Sequence, residues 1–337
     1  MKRRVLVTLL VSLVLASSFV FAQGSNESTT TTSSAKKQYQ MVLIPKLESA
    51  WFEPYKNDGV AEGKKIGVDV YQQAPAGADE AQQVRIIEDS INQGVNAVLV
   101  VPNDANSCVP AFKKARQQGI VVMTHESPNQ PEADFDIEMI NNVKFGEKML
   151  EEMVRLGGDS GEYAIYVGSL TVPAHNIWAD AAIALAKAKY PKLTLVTDRQ
   201  PVSEDRNAAR QKTLELLTVH PNLKGILAFG SQGAPGAGQA LREKGLTDKV
   251  TVLGTTSPAE AAPFLKDGSI DECVLWSSGD AAHAMVYLSK MILDGKKDQI
   301  KQGLEIPDLG TPTIDGMNIE FDHPLIVDAS NCDQYNF

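Results

Sequence analysis

His125 and Glu126 stand side by side and are the first candidates for chemistry in this 337-residue chain. A histidine and a carboxylate can share acid–base work, but neighbours in an extended segment point to opposite sides, so they make no catalytic couple. Their position is more informative, because they directly follow the apolar run 120–124. Lys46 likewise follows the run 41–44, with Trp51 and Phe52 shortly after it. Ser169, Thr171, His175, Asn176 and Trp178 follow 163–167, Phe229, Ser231 and Gln232 follow 225–228, and Thr255 and Thr256 follow 250–254. Trp276 ends the run that begins at 271. Aromatic faces beside a carboxylate, amides and hydroxyls suit a sugar, since rings cover its C–H faces and polar groups take its hydroxyls. We assign Lys46, Trp51, Phe52, Glu126, His175, Asn176, Phe229, Ser231, Gln232, Thr256 and Trp276 to one ligand-binding site, and Trp178 to the core.

Other chemistries lack their residues. No Gly-x-Gly-x-x-Gly follows the first apolar run, and neither a P-loop nor a Gly-x-Ser-x-Gly elbow occurs. The glycine-rich stretch 230–236 has no basic partner for a phosphate and reads as a neutral ligand loop or a connector. Cys108, Cys273 and Cys332 are odd in number and widely spaced, so neither a metal site nor a disulfide framework is indicated and at most one bridge can form. No enzyme activity, cofactor or metal is expected.

The elements that must position these residues alternate strictly. Strands at 41–44, 68–71, 95–102, 120–124, 163–167, 193–196, 225–228, 250–254 and 271–276 are interleaved with helical patterns at 55–66, 79–93, 109–118, 145–156, 179–190, 208–220, 236–244 and 259–267. Continuous apolar strands between helices imply a parallel sheet covered on both faces. There are too many strands for one compact open sheet, which predicts an α/β chain of two Rossmann-like doubly wound lobes. Ligands of such sheets bind at the carboxyl ends of the strands, where the candidate residues fall.

The chain opens with Lys2, Arg3 and Arg4 before an apolar run to Phe21 and a small residue at Ala22, the pattern of a secretory signal peptide over 1–22. Residues 23–37 are rich in Gly, Ser and Thr and read as a disordered tether. Losing three leader cations takes the formal charge from −10 to −13, which excludes a nucleic-acid partner. The mature chain is expected outside the cytoplasmic membrane, with no membrane insertion of its own.

An ordered set of motifs carries a family resemblance over essentially residues 40–337. It comprises Ile44-Pro45-Lys46-Leu47, Asn92-Gln93-Gly94-Val95-Asn96-Ala97, Thr124-His125-Glu126-Ser127, Thr171-Val172 with Asn176 and Trp178, Leu275-Trp276 and Tyr335-Asn336-Phe337. The chain resembles the type I periplasmic sugar-binding proteins of bacterial ABC importers, within the branch of rhamnose-binding proteins and autoinducer-2 receptors. The resemblance implies that Lys46 and Glu126 contact the ligand. Ala174 and His175 stand where autoinducer-2 receptors carry Asp-Gln, and Phe229 and Ser231 where they carry proline and alanine. These departures point to a monosaccharide such as rhamnose or another deoxy or pentose sugar. The resemblance also implies a three-stranded hinge crossing near Asn141, near Ser277 and between Ile306 and Phe321, with lobes at 38–141 plus 277–306 and 142–276 plus 307–337. It implies a monomer that closes on its ligand and hands it to an ABC permease and its ATPase, or else presents it to a membrane sensor.

Overall fold

The structure is a computed structural model that describes residues 38–335 and Phe337; the expected signal peptide, the tether and Asn336 lie outside the described residues. The first stretch alternates β1 (Gln40–Ile44), α1 (Glu53–Ile66), β2 (Asp69–Gln72), α2 (Glu80–Gln93), β3 (Ala97–Val100), α3 (Ala105–Gln117), β4 (Val121–His125) and β5 (Phe135–Glu138). A second runs through α4 (Asn142–Gly157), β6 (Ser160–Val167), α5 (Pro173–Lys189), β7 (Lys192–Leu195), β8 (Gln200–Pro201), α6 (Arg206–Val219), β9 (Leu223–Ala228) and α7 (Gly233–Lys244). It continues with β10 (Thr251–Gly254), α8 (Pro258–Leu265) and β11 (Glu272–Leu275). The chain closes with α9 (Ser278–Leu293), β12 (Thr313–Asp315), β13 (Asn318–Glu320) and β14 (Leu325–Val327).

These strands form two seven-stranded sheets, ordered β12-β13-β5-β4-β3-β1-β2 and β14-β11-β10-β9-β6-β7, with β8 beside β6. All strands within the first sheet pair in parallel except β12 with β13, and in the second only β14 is antiparallel. The pleat divides the apolar runs between two cores. Val42, Ile44, Val98, Val100 and Val122 pack with Ile87, Ile91 and Phe112 of α2 and α3. Met41, Leu43, Leu99 and Met123 pack on the other face with Tyr55 of α1 and Met285 of α9.

The chain passes between the sheets three times, after Glu138, after Leu275 and after Glu320. Two of these passages begin a capped helix. Asn141 accepts from Lys144 N at 3.0 Å and Ser277 from Asp280 N at 3.1 Å, satisfying amides that have no partner within the helix. The Asn141 amide also donates to Glu320 at 3.1 Å, while Phe321 N and His323 N donate to Glu138 O and Met139 O at 2.8 and 2.7 Å. The first and third passages are thus bonded along their length. Residues 313–320, expected in the second lobe, instead extend the first sheet, because β13 pairs with β5. The chain leaves for the second sheet only before β14.

Several element boundaries differ from the sequence reading. Asp104 caps α3 through Ser107 N at 2.6 Å, so that helix starts at Ala105 despite Pro110. Helix α5 starts at Pro173, six residues before the expected start, with the proline in the first turn where its missing N–H costs nothing. All three cysteines are buried and free, and burial pushes the Cys108 and Cys273 thiols up to about 12.

Strand β5 carries two fully buried carboxyls on one face, Asp136 and Glu138, with Asp136 Oδ1 bonded to Thr124 Oγ1 at 2.6 Å. Burial raises both, Asp136 to about 6 and Glu138 well above its usual range; Asp136 raises Glu138 further, while a hydrogen bond from Glu138 offsets part of the rise at Asp136. Acids whose folded values lie above their unfolded ones stabilise the fold while protonated, and that contribution is lost as pH rises through the folded values. The melting temperature should therefore fall as pH rises from about 4, the usual carboxyl value, through the Asp136 value of about 6 and onward through the raised Glu138 value, and Glu138→Gln should flatten the fall. A melting curve indifferent to this substitution across that range would refute the assignment.

Candidate functional site

The carboxyl ends of both sheets bring one cation and two carboxylates together. Lys46 follows β1 and is almost fully buried, with Nζ 2.7 Å from Glu126 Oε2 and 3.2 Å from Glu204 Oε1. Glu126 follows β4 with φ of 58°, left-handed backbone that costs a non-glycine residue about 1 kcal/mol and breaks the extended alternation after His125. Glu204 follows β8, just ahead of the α6 cap Asp205, and accepts from Ser231 N at 3.1 Å and Ser231 Oγ at 2.8 Å. His175, in the first turn of α5, places Nε2 2.9 Å from Lys46 Nζ and 3.4 Å from Glu126 Oε2. Lys46 and Glu126 belong to the first lobe, His175, Glu204 and Ser231 to the second. The cluster therefore spans the cleft.

Hydrogen bonding fixes both histidines as neutral. His175 Nδ1 accepts from Gly168 N at 3.0 Å, so its ring proton lies on Nε2. His125 Nδ1 donates to Ile137 O at 2.6 Å, leaving Nε2 to accept from Trp276 Nε1 at 3.2 Å. Burial lowers the pKa of each, and Lys46 lowers both further. Burial alone would raise Glu126, but Lys46 and the bond from His175 outweigh it and hold the carboxyl well below the usual range. Burial pulls Lys46 down, and the charges of Glu126 and Glu204 more than restore it.

Nine residues line the small cavity among these groups: Lys46, Trp51, Glu126, His175, Glu204, Gly230, Ser231, Thr255 and Trp276. Its volume is about 10 Å³, room for about one water. A groove of about 710 Å³, lined by Asp79, Asn103, Asp104, Ser107, Ser169 and Thr171 among others, adjoins it through Gly168 and through Asn103, whose amide donates to Lys46 O at 2.7 Å.

Of the residues expected to form the site, Lys46, Trp51, Glu126, His175, Ser231 and Trp276 line the cavity. The other five do not. Phe52 turns the opposite way from Trp51 and packs on Tyr55 with ring centroids 5.8 Å apart. Asn176 lies in α5, bonds Ser169 O and Val172 O at 3.0 and 2.7 Å, and is held by Arg199. Phe229 is buried against Trp178 at 5.8 Å, and Gln232 donates to Glu260 at 3.2 Å and accepts from Arg206 at 3.1 Å. Thr256 is buried beside the cavity position taken by Thr255. Trp178 is core, as expected, and packs edge-on against Trp276 at 5.3 Å and on Phe145 at 4.9 Å. A Cβ on Gly146 would come within 2.2 Å of Trp178 O, so glycine there lets α4 approach α5 and seat this cluster. Glu204 was missed. The strand before it has two residues and no apolar run, although a carboxylate immediately ahead of a helix-capping aspartate was a usable signal.

Lys46→Met would leave two buried carboxylates facing one another without their cation, which costs about 3–5 kcal/mol. The triple variant Lys46→Met, Glu126→Gln, Glu204→Gln should recover most of that, since it removes the charges together. Urea unfolding reads both; an unchanged midpoint in Lys46→Met would show that the cluster carries no stability. Gly168→Ala should weaken ligand binding while the fold persists, because the added Cβ would lie 2.9 Å from Glu204 Cγ and 3.0 Å from His175 Nδ1. Wild-type affinity in that variant would count against a site at these two residues.

The site and the two-sheet architecture agree with what the chain is similar to. A ribose import binding protein of Bacillus subtilis (strain 168) is 26% identical over 302 residues, covering 89% of this chain and 96% of the relative. A D-allose-binding periplasmic protein of Escherichia coli (strain K12) is 25% identical over 272 residues, 78% of this chain and 86% of the relative. Among solved structures, LsrB from Clostridium saccharobutylicum in complex with AI-2 superposes with a TM-score of 0.81 at 25% identity, covering 88% of this chain and 100% of the other. The ribose and allose relatives are binding proteins rather than enzymes. The family model described as a periplasmic binding protein domain matches residues 41–297. The chain belongs to the periplasmic binding proteins, and its two doubly wound lobes are those of the type I fold.

Proposed function

We propose that this chain is an extracytoplasmic solute-binding protein that captures a monosaccharide, rhamnose or another deoxy or pentose sugar, between its lobes and delivers it to an ABC permease. One observation carries the reading: Lys46 and Glu126 from one lobe and His175, Glu204 and Ser231 from the other converge on a single cavity walled by Trp51 and Trp276. The relatives named for ribose and allose support a sugar, and among structural neighbours a Clostridium phytofermentas solute-binding protein with bound L-rhamnose shares the fold, with a TM-score of 0.81 at 22% identity. No helix among the described residues is long and apolar enough to cross a membrane.

Ligand sites usually measure about 300–1,000 Å³, far more than the space among these groups. A sugar therefore enters only when the lobes part, and closure re-forms on the ligand the contacts that Lys46, Glu126 and Glu204 make with one another. The likeness to the AI-2 complex favours a second reading, a receptor that presents its ligand to a membrane sensor.

A thermal-shift screen of monosaccharides and autoinducer-2 tests the proposal, since a ligand at about 100 times its Kd stabilises the fold by about 2.7 kcal/mol. We expect at least one deoxy or pentose sugar to raise the melting temperature, and Glu126→Gln to abolish that rise. No shift from any sugar would overturn the reading, and a shift from autoinducer-2 alone would select the receptor. Trp276→Ala is a poor probe because Trp276 also anchors the buried aromatic cluster with Trp51 and Trp178.

A further inference from the structure

The charges lining the cavity do not balance. Lys46 is the one cation among the lining residues, and it faces two carboxylates, Glu126 and Glu204. Glu204 acts only as an acceptor, toward Ser231 N, Ser231 Oγ and Lys46, which is the behaviour of a carboxylate. Neither neighbouring histidine supplies the missing charge. His175 would have to give up the Gly168 N–H bond to become a cation, and His125 the Trp276 Nε1–H bond. A second feature points the same way. His175 Nε2, which carries the ring proton, lies 2.9 Å from the Lys46 ammonium, and the two donors compete for one acceptor, Glu126 Oε2, at 3.4 and 2.7 Å. On the other side of the cluster, Glu126 Oε1 lies 3.8 Å from His125 Nε2, a nitrogen without a proton whose lone pair is already taken by Trp276.

We propose that the cavity selects its ligand by charge, taking an amino-deoxy sugar in preference to the matching neutral sugar and rejecting the matching uronic acid. This rests on the sugar-binding reading above and narrows the deoxy sugar of that reading to one carrying an ammonium group. A ligand oxygen accepts from Lys46 Nζ and His175 Nε2–H together, which relieves their competition for Glu126 Oε2. The ammonium donates to Glu126 and Glu204 and brings the buried charge to zero. A carboxylate in the same place would add a second net negative charge to a site already one short of neutral. Buried charge that is not compensated is strongly disfavoured, so the ranking follows from the count of charges and not from any single hydrogen bond.

Isothermal titration of the full mature chain with matched trios tests this: glucosamine, glucose and glucuronate, then galactosamine, galactose and galacturonate, then mannosamine, mannose and mannuronate. In a trio that binds, we expect the amino sugar to bind about tenfold or more tighter than the neutral sugar, and the uronate more weakly than both. In Glu204→Gln, whose folding is checked by its melting curve, the gap between amino sugar and uronate should shrink by about tenfold or more. A uronate that binds as tightly as its amino counterpart in the wild-type chain overturns the charge selection while leaving sugar binding in place. A chain that binds no sugar of any charge, in these trios or in the screen above, overturns the reading on which the inference rests.

Discussion

The contact on which most of this structure depends is the Lys46 ammonium held between Glu126 and Glu204, one carboxylate from each lobe. Burying an ion costs several kcal/mol unless its partners are well placed and their remaining lone pairs are satisfied. That condition explains features otherwise unrelated in the chain. Glu126 accepts left-handed backbone to bring its carboxylate toward Lys46. Ser231 offers both its amide and its hydroxyl to the far oxygen of Glu204. Position 168 lacks a side chain because any Cβ there would displace both Glu204 and His175. Asn103 ties down the Lys46 carbonyl from the neighbouring strand exit. Each element delivers one group to one point.

In the proposed opening and closing, a cluster that spans two lobes would also couple their motion to its own chemistry. The three passages between the sheets have little freedom at their ends, because Asn141 and Ser277 each cap the helix they begin and the first and third passages bond to one another. Opening must then be taken up within a few residues at each passage, 139–141, 276–277 and 321–324. Fixed ends with short connecting segments are what allow two rigid bodies to rotate without losing their cores.

The alternation of apolar strand and helix, and with it the two-lobed fold, was legible because parallel strands buried on both faces appear as continuous apolar runs. Strands without such runs were not. Strand β5 carries Asp136 and Glu138, β8 is Gln200–Pro201, and β12 to β14 are three residues each, so the return of 313–320 to the first sheet left no periodic trace. Six of the eleven expected site residues line the cavity, and the five that do not line it share a common cause. A strand exit tells which loop faces the cleft but not which side chain of it does. Trp51 and Phe52 are adjacent on one helical turn and point apart; Asn176 was read in a loop and lies in a helix, about 100° around the axis from His175.

On the proposed reading, the cluster that holds the lobes together is also the ligand's competitor. In the proposed site, every hydrogen bond from a sugar to Lys46, Glu126 or Glu204 would replace one these residues make among themselves, so the gain on binding would be the difference between two well-bonded states. A neutral ligand exchanges bonds of similar number and leaves the charge imbalance where it was. A ligand that supplies what the cluster lacks, a second acceptor for Lys46 and His175 and a positive charge between the carboxylates, would improve on the resting arrangement instead of copying it. On that proposal specificity follows from the deficit left by the protein's own residues, a deficit set by Gly168 N–H and Trp276 Nε1–H, which keep both histidines neutral.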